Sequence, residues 1–215
     1  MESLFDWLDP TEAGLFDISD GADRLRDVLR IHRSGERPDL DGCAAAIVGV
    51  MDRRGSADGA QTDRAAEWVR GKLYDLTVME RWSAVADLGN IVAGPSETDT
   101  RAALDVVCQE LHQRDIVPIV IGGSQVLTVP MYASYAPQER PINVVTVDAG
   151  LDFGGDPQEV NHQNWLNPLI LPEGGHLFDL TQLGHQRYLV DGDTVQLMEK
   201  MLQNLNTWWK LECRL

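Results

Sequence analysis

The amino-acid sequence predicts an α/β fold, three layers deep, with a mostly parallel sheet between helices. Two apolar runs carry most of that expectation. Ile116-Val-Pro-Ile-Val-Ile121 ends at Gly122-Gly123-Ser124-Gln125, and Ile142-Asn-Val-Val-Thr-Val147 ends at Asp148-Ala149-Gly150-Leu151-Asp152. Short runs rich in Val and Ile, stopped by glycines or carboxylates, suit parallel strands covered on both faces. The third observation is the alternation of strand-like and helix-like segments from 44 to 148, the pattern of an open α/β sheet. In such sheets ligands bind beyond the carboxyl ends of the strands, so Gln125, Asp148 and Asp152 point towards a site.

The elements follow in order. Leu4, Phe5, Trp7 and Leu8 precede an Asp9-Pro10 break. Leu25, Val28, Leu29 and His32 then recur at helical spacing, predicting a helix from Ser19 or Asp20 to about His32 within an N-terminal helical segment, 1–43. Ala44–Val50 is the first clear strand, and Met51–Thr62 reads as a loop over the sheet end. Thr62 or Asp63 caps a helix to about Leu76, with Ala66, Val69 and Leu73 on one face. Val85–Gly89 reads as a short strand, and Ser96 with Asp99 forms a capping box before a helix carrying Ala103, Leu104, Val107 and Leu111. Beyond Gly154 lie loop sequence, short strands at Leu177–Leu180 and Tyr188–Val190, and a helix from about Asp193. Its apolar stripe comprises Val195, Met198, Met201, Leu202, Leu205 and Trp209. No repeat or linker interrupts the 215 residues, which read as one domain.

Composition excludes several classes of function. A net charge of −16 argues against nucleic acid, because nothing replaces the counterions of a phosphate backbone. It also opposes approach to anionic membranes, and no apolar run approaches the ~20 residues of a span. Asp outnumbers Glu 22 to 12, and three lysines accompany fifteen arginines, a bias read as surface solubility of the kind found at high salt. Cys43, Cys108 and Cys213 have no metal-type spacing, and the N-terminus has no basic, apolar leader. Both suit a reducing, cytoplasmic setting.

At Gly122-Gly123-Ser124-Gln125 and Asp148-Ala149-Gly150-Leu151-Asp152 the chain resembles the ureohydrolase superfamily of arginases, agmatinases and formimidoylglutamases. Val48-Gly49-Val50 with the helix through Trp68-Val69-Arg70, and Asp87-Leu88-Gly89-Asn90-Ile91, resemble its earlier segments. Leu183-Gly184-His185-Gln186-Arg187-Tyr188 is similar to a segment of the formimidoylglutamase-like branch. The resemblance implies metal hydrolases of guanidino or formimino groups, typically with two manganese ions. It implies Gly-Gly-x-His and Asp-Ala-His-x-Asp as ligand motifs. Here Gln125 stands at the first histidine and Gly150 at the second, leaving Asp148 and Asp152 as the metal candidates. An amide oxygen is a weak neutral ligand and glycine offers no side chain. His162 and His176 are loose candidates for a further histidine. Asp191-Gly192-Asp193 has the spacing of a later ligand motif without its sequel, and reads as a turn and helix cap. The resemblance therefore implies a truncated ureohydrolase-like fold with a degenerate metal site.

Each candidate has a plainer reading beside it. Asp148 and Asp152 form a residual site for weakly held manganese or magnesium, or else end a strand and bond loop amides. Gly122-Gly123-Ser124 is an anion nest, or a tight turn in which Ser124 caps a helix. Asp52, Arg53, Arg54 and Gly55 form a substrate loop, or a solvated turn, the favoured reading. His162, His176 and His185 read as loop or packing histidines, and Trp165, Trp208 and Trp209 as packing residues. The leading expectation is a ureohydrolase fold that is catalytically impaired. Its alternatives are a metal-dependent hydrolase of linear amidines and a module that binds a small molecule without turning it over. An open sheet edge and the apolar region 190–215 predict a homo-oligomer, or a complex with a longer relative.

Overall fold

The structure is a computed structural model that describes residues 2–12, 24–57, 60–78, 84–156, 159–172, 175–186, 188–201 and 204–207. Two compact units make up the chain, Met1–Ser134 and Tyr135–Leu215. The first holds α1 (Glu2–Phe5), α2 (Leu25–Val28), β1 (Arg30–Ile31), β2 (Ala45–Met51), α3 (Ala65–Leu73), β3 (Val85–Val92), α4 (Glu97–His112), β4 (Val117–Ile121) and α5 (Thr128–Ala133). Its sheet has the order β1-β3-β2-β4, with every pair parallel.

Alternation along the two central strands assigns each face its helices. Ala46, Val48 and Val50 of β2, with Ala86, Leu88 and Ile91 of β3, join the core formed by Leu4, Phe5 and Leu8 and by Ala103, Leu104, Val107, Cys108 and Leu111 of α4. The opposite face meets α3. There Gly49 admits a close approach: a Cβ on it would lie 2.0 Å from Asn90 Oδ1 and 2.8 Å from Ala66 Cβ. Helix, sheet and helix are the three layers expected. Between Ile47 and Gly49 the β2–β3 register shifts, with Gly89 on the facing strand at φ +86°. Two backbone hydrogen bonds then tie Asp9 to Asn90.

Two features of α3 and its surroundings differ from the sequence reading. The buried face carries Ala66, Glu67 and Arg70, whereas Val69 is 43% exposed. A charged side chain can occupy that face because its partner lies on the strand beneath. Arg70 Nε and Nη2 each donate to an Asp87 carboxylate oxygen at 2.8 Å, and Nη1 donates to Asn90 Oδ1 at 2.5 Å. Tyr74 Oη donates to Asp87 at 2.9 Å; burial, then the Asp87 charge, pushes its phenol well above the usual range. The other difference lies upstream. The helix expected from Ser19 or Asp20 to His32 is a single turn among the described residues, followed by β1, whose Arg30 and Ile31 pair with Ala86 and Asp87. Hydrogen bonds to β3 decide that segment; its apolar spacing does not.

The second unit holds β5 (Ile142–Val147), α6 (Asn167–Ile170), β6 (Leu177–His185), α7 (Gly192–Met201) and β7 (Asn204–Thr207). Its three strands run parallel in the order β5-β6-β7. Asp191 caps α7 by accepting from the Thr194 amide at 3.1 Å, as the turn-and-cap reading requires. Tyr188–Val190 forms a turn, closed by the Leu189 amide on the Gln186 carbonyl at 2.9 Å. The last helix ends earlier than its stripe implies: Leu205 lies in β7, paired with Gln182. Leu202, Trp208 and Trp209 lie outside the described residues.

Full burial of the two apolar runs does not hold. β2 and β3 are buried almost throughout, with helices on both faces. β4 and β5 stand at the margins of their sheets, and Val117, Ile119, Val145 and Val147 remain exposed.

Candidate functional site at the end of the fifth strand

Asp148 follows β5 directly. Its amide continues the ladder by donating to the Leu183 carbonyl at 3.0 Å, and its Oδ1 accepts from the Gly150 amide at 3.0 Å. That is an Asx turn, the loop-amide role weighed for this residue. Gln182, buried in β6, stiffens the turn from beneath. Its Nε2 donates to the carbonyls of Asp148 at 3.3 Å and Gly150 at 3.1 Å, and its Oε1 accepts from Thr146 Oγ1.

Asp152 has a different environment. Its Oδ2 accepts from Trp165 Nε1 at 2.8 Å, and its carbonyl accepts from the Leu166 amide at 3.1 Å. Burial is the main cause that lifts its carboxyl to about 6; the Trp165 indole pulls the other way, the Asp148 carboxylate adds to the rise, and His162 opposes it. The loop that delivers Trp165 is held by asparagines. Asn164 Nδ2 donates to the carbonyls of Asp156 and Glu159, and Asn167 exchanges two hydrogen bonds with the Gly154 backbone. Trp165 is thus a packing residue, as read, and also the donor that orients Asp152.

Gly150 lies between the carboxylates. A Cβ there would sit 3.2 Å from Asp152 Oδ1 and 3.8 Å from Asp148 Oδ1, so both acids flank the position at which the resemblance implies a histidine. His162 reaches Asp152 electrostatically. Even so, among the described residues no three His, Cys, Asp or Glu side chains converge in a way that could hold a metal ion. The described residues alone do not supply the imidazole and carboxylate set of a dinuclear manganese centre. His185 is buried at the end of β6.

Gln125 belongs to the first unit, where it opens the 3₁₀ turn Gln125–Leu127 after β4 and is exposed. Gly122 and Gly123 take φ of +96° and +73°, and Ser124 Oγ accepts from the Val126 amide, which is the capped tight turn. The loop after β2 corrects the solvated-turn reading. Asp52 is 4% exposed and accepts from Arg54 Nη2 at 2.5 Å and Thr100 Oγ1 at 2.8 Å. Arg54 also donates to the Gly94 carbonyl at 2.9 Å. Burial raises the Asp52 pKa, but the Arg54 and Thr100 hydrogen bonds together outweigh it and hold the carboxyl below its ordinary range. The sequence signal was an Asp directly after a buried strand with an Arg two residues on.

No described helix is long and apolar enough to cross a membrane. Formimidoylglutamase of Halobacterium salinarum is 33% identical over 126 residues, which are 53% of this chain and 39% of that protein. Formiminoglutamase of Trypanosoma cruzi, solved with Mn2+, superposes at a TM-score of 0.72 with 16% identity, over 86% of this chain and 64% of that one. Formimidoylglutamase of Bacillus subtilis gives 0.72 and 18%, over 95% and 65%. The chain thus spans less than two thirds of the length of each of these relatives. Residues 42–205 match the arginase family, and the chain belongs to that family, as its strand-end motifs imply.

Proposed function

We propose that this formimidoylglutamase-like chain is catalytically impaired as a hydrolase of linear C–N bonds. The observation that carries the reading is Gly150, set between Asp148 and Asp152 where an imidazole would stand. Hydrolysis of a formimino or guanidino group needs a strong nucleophile made from water, and metal centres make it by lowering the pKa of a bound water. Two carboxylates with no imidazole beside them supply no nitrogen donor for that task. Any cation held there would be a weakly bound manganese or magnesium.

A second reading rests on the 33% identity to a formimidoylglutamase: a metal-dependent hydrolase of linear amidines with an altered ligand set. One pair of measurements separates the two. The protein is incubated with manganese, assayed against formiminoglutamate, agmatine and arginine, and its metal content is determined after gel filtration. Impairment predicts no turnover and less than one retained manganese per chain. Turnover lost in both Asp148→Ala and Asp152→Ala would establish the second reading.

A further inference from the structure

A cleft of about 520 Å³ in the first unit, lined by residues including Phe5, Leu8, Pro10, His32, Glu36 and Arg37, takes no part in the strand-end site. Its volume is in the range of small-molecule pockets. His32 is 7% exposed. Its Nδ1 lies 2.9 Å from the Leu88 carbonyl, which can only accept, so Nδ1 carries the proton and Nε2 of the neutral ring is an acceptor. Nε2 has no hydrogen-bond partner among the described residues. The Phe5 ring meets His32 edge-on, with centroids 5.1 Å apart and planes at 67°, and Arg37 Cζ lies 5.2 Å from the same ring centroid. One aromatic ring therefore positions both the imidazole and the guanidinium. Among the described residues neither Arg37 nor Glu36 has an ion-pair partner.

We propose that this cleft binds a free α-amino acid with a short apolar side chain. The α-carboxylate meets the Arg37 guanidinium, a planar fork suited to it. The α-ammonium meets the vacant acceptor Nε2 of His32 and the Glu36 carboxylate, and the side chain lies on Phe5, Leu8 and Pro10. Charge favours a zwitterion: a chain of net −16 repels a free anion, and a free cation leaves Arg37 opposed.

The test is calorimetric titration of the full chain with L-leucine at neutral pH. Three probes accompany it: 4-methylpentanoate, which lacks the ammonium, 3-methylbutylamine, which lacks the carboxylate, and glycine, which lacks the apolar body. Leucine is expected to bind, with each probe weaker by about tenfold or more. Arg37→Gln and Glu36→Gln, both at exposed positions and so compatible with folding, are each expected to weaken leucine by a similar factor. Absence of heat at about 10 mM leucine, a weak-binding limit, overturns the proposal. So does unchanged affinity in Arg37→Gln, or glycine binding as tightly as leucine.

Discussion

Replacing Arg70 by Met tests whether α3 is fastened to the sheet by charge. Arg70 and Asp87 are both fully buried, and the guanidinium makes four hydrogen bonds, two to Asp87 and one each to Asn90 Oδ1 and the Gly89 carbonyl. Methionine fills similar space but, among the described residues, leaves the Asp87 carboxylate in the interior with only the Tyr74 hydroxyl and the Gly89 amide as donors. Removing one partner of a buried pair costs about 3–5 kcal/mol, because the remaining charge stays desolvated. Substituting both partners removes that charge as well. Arg70→Met with Asp87→Leu should therefore recover at least about half of the loss. Because the chain has two compact units, a single global midpoint is a poor readout. Native-state hydrogen exchange at the β2 and β3 amides, followed through low urea concentrations, reports this unit alone. A loss below about 1 kcal/mol in Arg70→Met, the scale of an exposed ion pair, would refute the reasoning.

Three further outcomes are expected. Gly150→His should tighten manganese binding by about tenfold or more, as expected when a third, imidazole ligand joins two carboxylates; electron paramagnetic resonance of free manganese measures it, and unchanged affinity would show that the strand end does not preserve the ligand geometry. Asp152 holds its proton to about 6 in the folded chain, above the ~4 of an unfolded carboxyl. The folded state thus binds more protons between those values, and stability falls as pH rises through the window and is level above it. Asp152→Asn should remove that slope in native-state hydrogen exchange of the β5 and β6 amides from about pH 4 to 7, and an unchanged slope would assign it to another group. Gly89→Ala should cost about 2 kcal/mol or more by the same exchange measurement, since φ is +86° and the Asp9 carbonyl oxygen lies 1.9 Å from the added Cβ.

Much of the architecture is legible where local chemistry and burial agree. β2 is an unbroken apolar run buried between two helix layers. The Ser96–Asp99 box closes reciprocally, with the Asp99 amide on Ser96 Oγ at 3.2 Å and the Ser96 amide on Asp99 Oδ2 at 2.8 Å. Asp191 caps α7 within its own turn. What escapes the sequence is decided at long range. β1 has two residues and no periodicity of its own, and its hydrogen bonds come from a strand more than fifty positions away. The inward face of α3 cannot be read from apolar spacing, because Arg70 is admitted by a carboxylate on another element.

The same distinction orders the carboxylates near the sheet ends. Asp52 follows β2 as Asp148 follows β5, and by sequence position alone each could belong to a site. Asp52 faces a guanidinium with three donor contacts to it, and its carboxyl is held below the ordinary range. It joins the loop after β2 to Thr100 at the start of α4, which is work internal to the fold. Among the described residues Asp152 has no cation among its hydrogen-bond donors; it has an indole N–H and a second carboxylate nearby, and its carboxyl is raised. A carboxylate whose charge the fold itself neutralises stabilises structure, whereas one left beside another acid costs stability unless something else is bound. The Asp148–Asp152 pair is of the second kind, and Gly150 lies between the two acids. On those two features we propose that any site of this chain lies at the end of β5 and not in the loop after β2.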